Sequence, residues 1–214
     1  MREKIIMNVR NTKKEDSCKE KINIIVDGER FEIDSNITVF EAVEKMGKYI
    51  PTLCYNEKLK PYGACRLCIV QIEKNGVSKI VASCVYPAED GLIVYTESPE
   101  VEKIRKSLVE LYLALFPFND EIKKLAKKYG LKGTRLRKEN SYCILCGLCV
   151  RYCREVKKNN AVGFVGRGTN KKVAFIPESS YFKYCEKCME CMNLCPTGVF
   201  PSNFGMERIP QISD

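Results

Sequence analysis

Cysteine is the residue whose number and spacing in this sequence point to chemistry. The chain of 214 residues contains 13 Cys, and 12 of them fall into three sets of four. The first set has the spacing C-x10-C-x2-C-x15-C and consists of Cys54, Cys65, Cys68 and Cys84. Four thiolates are the soft donors that iron and zinc bind in proteins. The set predicts a metal centre in which one loop supplies three ligands and a neighbouring strand supplies the fourth.

The other two sets are two copies of the motif C-x2-C-x2-C-x3-C, at residues 143–153 and 185–195. The copies comprise Cys143, Cys146, Cys149 and Cys153, then Cys185, Cys188, Cys191 and Cys195, which Pro196 follows. This motif is typical of ferredoxins with two [4Fe–4S] clusters, where the fourth Cys of each copy ligates the other cluster. The crossed pattern predicts one cluster on Cys143, Cys146, Cys149 and Cys195 and another on Cys185, Cys188, Cys191 and Cys153.

Zinc is the alternative metal for these sets. Gaps of ten and fifteen residues around a single C-x2-C fit a zinc ribbon poorly, so we interpret the first set as a [2Fe–2S] site. Two matched copies of the second motif with a final Cys-Pro likewise favour [4Fe–4S] clusters, called cubanes below, over zinc or disulfides. The thirteenth cysteine, Cys18, belongs to no set; we expect an unpaired thiol, with a role in an intersubunit cluster as the alternative.

The sequence around the three sets resembles one family. The resembling segments are "YGACRLC", "SCVYPAEDG", "CILCGLCVRYCREV", "AVGFVGRG" and "CPTGVF". They are similar to the N-terminal region of the large iron–sulfur subunit of respiratory complex I, a region also found in iron-only hydrogenases and in the diaphorase iron–sulfur subunit of NAD-linked hydrogenases. The resemblance covers residues 22–200 in one order, and it implies a plant-type [2Fe–2S] domain followed by a pair of cubanes.

The sequence departs from that family between the first set and the second. The family usually carries a further [4Fe–4S] cluster there, bound by one His and three Cys. This chain has no His at all, and residues 98–142 contain no Cys. Only Phe116–Asp120 occupies the position of the ligand loop, so we expect three clusters: one [2Fe–2S] and two [4Fe–4S].

The elements that must position these cysteines predict an α+β fold. We expect a flexible extension (1–20), a β-grasp [2Fe–2S] ferredoxin-like domain (21–97), a helical linker (98–140), a bacterial two-[4Fe–4S] ferredoxin-like domain (141–200) and a tail (201–214). The first domain should contain two hairpins that turn at Asp27-Gly28 and Asn75-Gly76, a helix over Thr38–Met46, and a fifth strand over Leu92–Tyr95. Gly63 is expected to let the backbone approach the first cluster.

The linker should contain two helices. Ser98 and Pro99 begin the first helix, and Pro117 ends it. Its predicted buried stripe is Val101, Ile104, Leu108, Leu111 and Leu115. The second helix should run from Asp120 to Tyr129, before Gly130. Phe116 and Phe118 are predicted core residues.

Composition excludes several classes of function. Without His, no catalytic triad or imidazole-dependent acid–base scheme is available. Lys and Arg exceed Asp and Glu by 36 to 27, a formal charge of +9, but twelve thiolates on three oxidised clusters would lower it to about +3. Nucleic-acid binding is therefore disfavoured. The basic stretch comprises Lys123, Lys124, Lys127, Lys128, Lys132, Arg135, Arg137 and Lys138; it is a solvated helix face or a docking patch for an acidic partner such as ferredoxin.

Other absences limit what the chain binds. No apolar run approaches the roughly 18–20 residues of a membrane span, and the N-terminus has no apolar signal core, so we expect a cytoplasmic protein. Gly163, Gly166 and Gly168 do not have the spacing of a dinucleotide fingerprint, so we expect no flavin or NAD on this chain.

The resemblance implies an electron-transfer subunit that has no catalytic residues of its own. Its implied partners are a flavin/NAD(H)-binding iron–sulfur subunit, a small thioredoxin-like [2Fe–2S] subunit, and a terminal hydrogenase, formate dehydrogenase or NADP-linked flavoprotein, with ferredoxin as a second acceptor. Such a complex would be a soluble NAD(P)-linked oxidoreductase of an anaerobe, of a kind that includes electron-bifurcating enzymes. Because the sequence ends at Asp214, we expect the hydrogenase or diaphorase type. A free polyferredoxin-like carrier is the alternative.

Overall fold

The computed structural model describes residues 20–136, 143–176 and 181–198. Nearly all of the predicted extension, Cys18 and the predicted tail lie outside these ranges. The first part of the chain forms one five-stranded sheet of order β2-β1-β5-β3-β4. Its strands are β1 (Lys21–Val26), β2 (Glu29–Asp34), β3 (Ile69–Lys74), β4 (Val77–Ala82) and β5 (Leu92–Tyr95).

Two tight hairpins build the edges of this sheet, as the sequence predicts. Asp27 and Gly28 have φ of 50° and 88°, and Asn75 and Gly76 have φ of 51° and 75°, which is the backbone of two-residue turns that match strand twist. Strand β5 then runs parallel to β1 and antiparallel to β3, so it joins the two hairpins into one sheet.

Helix α1 (Val39–Lys45) covers one face of the sheet. The Thr38 hydroxyl accepts a hydrogen bond from the Glu41 backbone N–H at 3.2 Å, which fixes the start of the helix. Val39 and Val43 are fully buried in a core with the apolar side chains of β1, β3 and β5. This core is mainly aliphatic, although it also contains Phe40, Cys68 and Cys84, and burial of aliphatic side chains stabilises a domain.

Two helices follow, and both begin as predicted. The Ser98 hydroxyl accepts a hydrogen bond from the Val101 backbone N–H, and Pro99 starts α2 (Pro99–Leu115). Asn119 caps α3 (Asp120–Lys128) in the same way, with Ile122 as the donor.

The predicted buried stripe of α2 is wrong in part. Leu111 is exposed, whereas Val101, Arg105, Val109 and Tyr112 are buried. The difference arises because an arginine takes the place of an apolar residue on the inward face. Phe116 is buried as predicted, but Phe118 is 68% exposed, so its assignment to the core is wrong.

The cysteine-rich module consists of short elements. Helix α4 (Leu148–Glu155) precedes a two-stranded hairpin, β6 (Val162–Val165) and β7 (Lys172–Phe175). A π-helical segment (Tyr181–Cys185) and two single turns, α5 (Glu186–Cys188) and α6 (Glu190–Asn193), complete it. The module shares one hydrophobic core with α2, α3 and the loop that contains Cys54 and Cys65. The boundaries of the five predicted regions stay predictions.

Candidate metal centres

The structure brings the four cysteines of the first set together in the interior. Cys54, Cys65, Cys68 and Cys84 are at most 2% exposed. Three of them lie on the loop between α1 and β3. Cys84 follows β4, which ends at Ala82, so the fourth cysteine lies in the turn after the strand and not on the strand itself.

Backbone N–H groups point at the sulfurs of this set. The Leu53 N–H donates to Cys65 Sγ at 3.4 Å, and the Cys65 N–H donates to Cys54 Sγ at 3.4 Å. Gly63, predicted to approach a cluster, has φ of 68°, and a Cβ there would lie 3.4 Å from Val85 Cγ1. N–H donors of this kind stabilise thiolates and tune the potential of a bound cluster.

The thiols of the first set form two hydrogen-bonded pairs. The bond with Cys54 holds the pKa of Cys65 below its ordinary value, and the bond with Cys84 does the same for the pKa of Cys68. The bond with Cys68 and then burial raise the pKa of Cys84, and the charges of Cys54 and Cys65 raise it further. All four sulfurs therefore lie within one another's electrostatic reach.

Two buried side chains that sequence reasoning missed hold this loop from α2. Arg105 is 1% exposed and donates to the carbonyls of Leu67 at 3.1 Å and Ile69 at 2.5 Å. Tyr112 donates its hydroxyl to the Cys65 carbonyl at 2.9 Å. The helical linker thus fixes the backbone on both sides of the Cys65-x2-Cys68 pair.

Helix α4 carries cysteines of both predicted cubane sets. Cys149 and Cys153 lie four residues apart on it, while Cys143 and Cys146 precede it. Burial raises the pKa of Cys149, and the neighbouring Cys191, Cys146, Cys143 and Cys195 raise it further. Burial and then the charges of Cys195 and Cys143 raise the pKa of Cys146, which Arg151 lowers. The charge of Cys195, from the second copy of the motif, thus acts on thiols of the first copy, and the crossed assignment stays a prediction.

The other set lines a partly open cavity. The cavity is lined by Cys153, Cys185, Cys188 and Cys191 together with apolar side chains that include Val162 and Met192. Burial and the charges of Cys153 and Cys188 raise the pKa of Cys185 to about 11. The donor set and the cavity fit a thiolate-bound cluster. None of the twelve cysteines in the described ranges forms a disulfide.

A backbone pattern recurs in the C-x2-C loops. The N–H groups of Leu67, Leu145 and Leu148 donate to the sulfur of the cysteine two residues earlier, which opposes the effect of burial on its pKa. Arg66, Leu145 and Met189, each between two cysteines, have φ of 60°, 53° and 45°. Left-handed residues of this kind make concave loops of N–H groups that bind anions. No sequence pattern indicated these three non-glycine positions.

Contacts around the cubane sets involve further residues that the sequence did not reveal. Asn119, which caps α3, also donates its side-chain N–H to the Pro196 carbonyl at 2.9 Å, beside Cys195. Tyr152 donates to Glu190 at 2.6 Å, and Lys157 pairs with the same carboxylate. The Glu190 charge, between Cys188 and Cys191, is thereby held by two donors.

The basic stretch on α3 is partly paired with acids. Lys123 bonds to Asp120, Lys124 to Glu121, and Lys128 to Glu97. Arg137 and Lys138 lie outside the described ranges. Exposed ion pairs of this kind are typical of a solvated helix face, which is the first of the two interpretations of the basic stretch.

Two kinds of feature are absent from the described ranges. No helix there is both long enough and apolar enough to cross a bilayer. No three His, Cys, Asp or Glu side chains in those ranges converge as they would around a single metal ion. An iron–sulfur cluster distributes its four thiolates over several iron atoms, so its ligands stand further apart than those of one ion.

Comparisons with known proteins identify both halves of the chain. Residues 19–99 match a family described as a 2Fe-2S iron-sulfur cluster binding domain. Residues 133–201 match the ferredoxin-like domain of NADH-quinone oxidoreductase subunit 3. The protein thus combines a 2Fe–2S ferredoxin-like domain and a 4Fe–4S ferredoxin-like domain in a mixed α and β fold.

Longer relatives share the same region. The chain is 30% identical over 208 residues to a subunit of NADH-quinone oxidoreductase from Rhizobium meliloti (strain 1021), an alignment that covers 85% of this chain. It is 29% identical over 206 residues, again 85% of this chain, to NADPH-Fe(3+) oxidoreductase subunit alpha of Geobacter sulfurreducens (strain DL-1 / KN400). The alignments span 24% of the length of each relative.

A solved structure matches more completely. A chain in the crystal structure of NAD+-reducing [NiFe]-hydrogenase in the H2-reduced state superposes with a TM-score of 0.62 at 30% identity, covering 72% of this chain and 74% of that one. The resemblance noted from the cysteine motifs is thereby confirmed. This chain belongs to the family of electron-transfer iron–sulfur subunits that includes the matching subunit of NADH-quinone oxidoreductase and the matching chain of NAD+-reducing hydrogenase.

Proposed function

We propose that this chain relays electrons within a multisubunit NAD(P)-linked oxidoreductase, between a flavin/NAD(H) subunit and a second catalytic subunit or ferredoxin. The observation that carries the proposal is the packing of the first cysteine set against the cubane module. Cys54 and Cys65 lie in the same hydrophobic core as Cys146 and Cys153. A shared core supports a relay because it keeps the redox sites at fixed, short separations.

The twelve cysteines would hold one [2Fe–2S] cluster and two [4Fe–4S] clusters, in the three sets given above. Clusters of these types supply one-electron redox chemistry when bound. The residues of this chain bury the thiols, donate backbone N–H groups to them and exclude water with apolar walls. The Tyr112 hydroxyl, which donates to the Cys65 carbonyl, lies within electrostatic reach of Cys54 and Cys146, which supports an order that runs from the first set through the Cys143 set to the Cys153 set.

The chain would have no catalytic residue, so its partners would perform the substrate chemistry. We propose a flavin/NAD(H)-binding subunit and a small thioredoxin-like [2Fe–2S] subunit as electron donors. The terminal partner would be a hydrogenase, a formate dehydrogenase or an NADP-linked flavoprotein. The names of two similar proteins, an NADPH-Fe(3+) oxidoreductase subunit and an NAD+-reducing [NiFe]-hydrogenase, support an NAD(P)-linked complex.

Anaerobic affinity purification of the full chain from its native cells tests this function. We expect a flavin-containing subunit to co-purify, and we expect NADH or NADPH to bleach the visible iron–sulfur absorption of the complex. The chain stripped of its partners should not oxidise either nucleotide. NADH oxidation by the isolated chain, or electron exchange only with a quinone-linked membrane complex, would contradict the proposal. A monomer without partners that carries electrons between other proteins would establish the polyferredoxin-like alternative.

A further inference from the structure

Arg151 is a buried cation between the first cysteine set and the cubane module. It lies on α4, between Cys149 and Cys153, and is 5% exposed. Its Nη2 donates to the Cys54 carbonyl at 2.9 Å, and its Nη1 donates to the Lys60 carbonyl at 2.5 Å. One guanidinium therefore joins the helix that carries two cubane cysteines to the backbone of a cysteine from the first set.

A second residue on α4 completes the contact. The Glu155 carboxylate accepts a hydrogen bond from the backbone N–H of Lys60 at 3.2 Å. Arg151 and Glu155, four residues apart on the helix, therefore bind the carbonyl and the N–H of Lys60. The Tyr62 ring lies over the guanidinium, with its centroid 5.2 Å from Cζ. These contacts fix the loop before Cys65 to α4 over a separation of about ninety residues in sequence.

Within the part of the chain that the structure describes, Arg151 forms no ion pair, and its charge reaches the Glu155 carboxylate only through space. Its hydrogen-bond acceptors are neutral carbonyls, and its buried Nε has no partner within the part of the chain that the structure describes. A buried cation is costly unless negative charge lies near it. Four thiolates around an oxidised [2Fe–2S] core carry a net charge of about −2, so a loaded first site would add negative charge near Arg151 to that of Glu155.

We propose that Arg151 is a positioning residue that ties α4 to the loop of the first set, and that its buried charge raises the reduction potential of a [2Fe–2S] cluster held by Cys54, Cys65, Cys68 and Cys84. The inference rests on the proposed function, since it requires that cluster. Reduction adds one negative charge to the site, and a fixed cation nearby stabilises the reduced form more than the oxidised form. One side chain would thus fix both the position and the electron affinity of the first site.

The test is an EPR-monitored redox titration of the holoprotein with three variants. Arg151→Gln removes the charge and should lower the electron affinity of the [2Fe–2S] site at least tenfold, about 59 mV for a one-electron couple. Arg167→Gln is the matched control, because Arg167 is exposed in the turn between β6 and β7 of the same module; it should change the affinity less than twofold. Arg151→Lys keeps the charge and should stay within about threefold of the wild type.

A structural readout accompanies the potentials. Hydrogen exchange at residues 55–62 should quicken in Arg151→Gln and in Arg151→Lys, because neither side chain can bind the two carbonyls as guanidinium does, and should not change in Arg167→Gln. An unchanged potential in Arg151→Gln would overturn the electrostatic role, and unchanged exchange would overturn the positioning role. If Arg151→Gln loses the [2Fe–2S] cluster, Arg151→Lys decides: a near-native potential supports the proposal, and loss of the cluster from both variants overturns it. A wild-type protein without iron–sulfur signals would refute the proposed function itself and the inference with it.

Discussion

The sheet domain and the cubane module differ in what fills their interiors. The core between the sheet and α1 consists mainly of aliphatic side chains such as Ile24, Val70 and Leu92, and Cys68 and Cys84 are two of its buried members. In the cubane module, Cys146, Cys153, Cys185 and Cys191 make up a large share of the buried apolar residues. Ligand cysteines are thus a small share of the first core and a large share of the buried residues in the cubane module.

Solvent exposure follows the same division. The cysteines of the first set are all buried, while Cys143 is exposed and Cys149, Cys188 and Cys195 are partly exposed. A set of thiols that are all buried forms a preorganised site. Ligands that line a cavity or reach the surface gain their fixed positions from the metal, and metal binding then contributes folding free energy. Loss of the clusters should therefore destabilise the cubane module more than the sheet domain.

Removal of iron should have the largest effect. With a chelator under reducing conditions, we expect the amides of β6 and β7 to lose protection from hydrogen exchange, because the module loses the cluster contacts that hold its ligands together. Amides of β1, β3 and β5 should stay protected. Hydrogen exchange with mass spectrometry measures both regions in one sample. Equal loss of protection in the two regions would remove the distinction drawn between them.

A ligand substitution should sharpen the crossed assignment within the module. Cys153→Ala should abolish the cubane of Cys185, Cys188 and Cys191, while the cubane of Cys143, Cys146 and Cys149 remains. Cys149→Ala is the matched control on the same helix and should give the reverse result. EPR spectra of the reduced proteins distinguish the two signals. Loss of the Cys143-side signal in Cys153→Ala would refute the crossed pattern.

Arg105 tests how strongly the helical linker holds the first site. Arg105→Gln should lower the free energy of unfolding by about 3 kcal/mol, because two buried carbonyls lose charge-assisted donors. The exposed Lys103 on the same helix is the control, and Lys103→Gln should have little effect. Denaturant unfolding of the holoproteins measures the difference. Equal stability of the two variants would show that the buried guanidinium does not support the loop.

Two tyrosines provide the smallest effect and the cleanest matched pair. Tyr112→Phe removes the hydroxyl that donates to the Cys65 carbonyl and should cost about 1 kcal/mol. The buried hydroxyl of Tyr129 has no hydrogen-bond partner in the described ranges, so Tyr129→Phe should be neutral or slightly stabilising. The same denaturation experiment compares them. A larger loss in Tyr129→Phe than in Tyr112→Phe would contradict the assigned contacts.

Local signals in the sequence predicted local structure well. Asp27-Gly28 and Asn75-Gly76 dictate left-handed turns, and Ser98-Pro99 begins a helix through contacts within one turn. The spacing of the cysteines indicated the type of site, because short loops must wrap around a cluster. These features depend on residues that lie close together in the chain.

The side chains that brace the sites could not be predicted in the same way. Arg105 contacts residues 36 and 38 positions away, and Arg151 contacts Cys54 across 97 positions. An apolar stripe cannot identify a buried arginine, since the pattern treats every charge as exposed. The prediction that Phe118 is buried was wrong for the converse reason: an aromatic side chain two residues from a buried one can still face solvent.

The iron content of the anaerobically purified chain tests the central claim most directly. Three clusters of the proposed types require about ten iron and about ten acid-labile sulfide per chain, with one [2Fe–2S] and two [4Fe–4S] signals by EPR after reduction. About fourteen iron would reveal a cubane that the three cysteine sets do not account for. A colourless protein that contains zinc and no labile sulfide would contradict the account entirely.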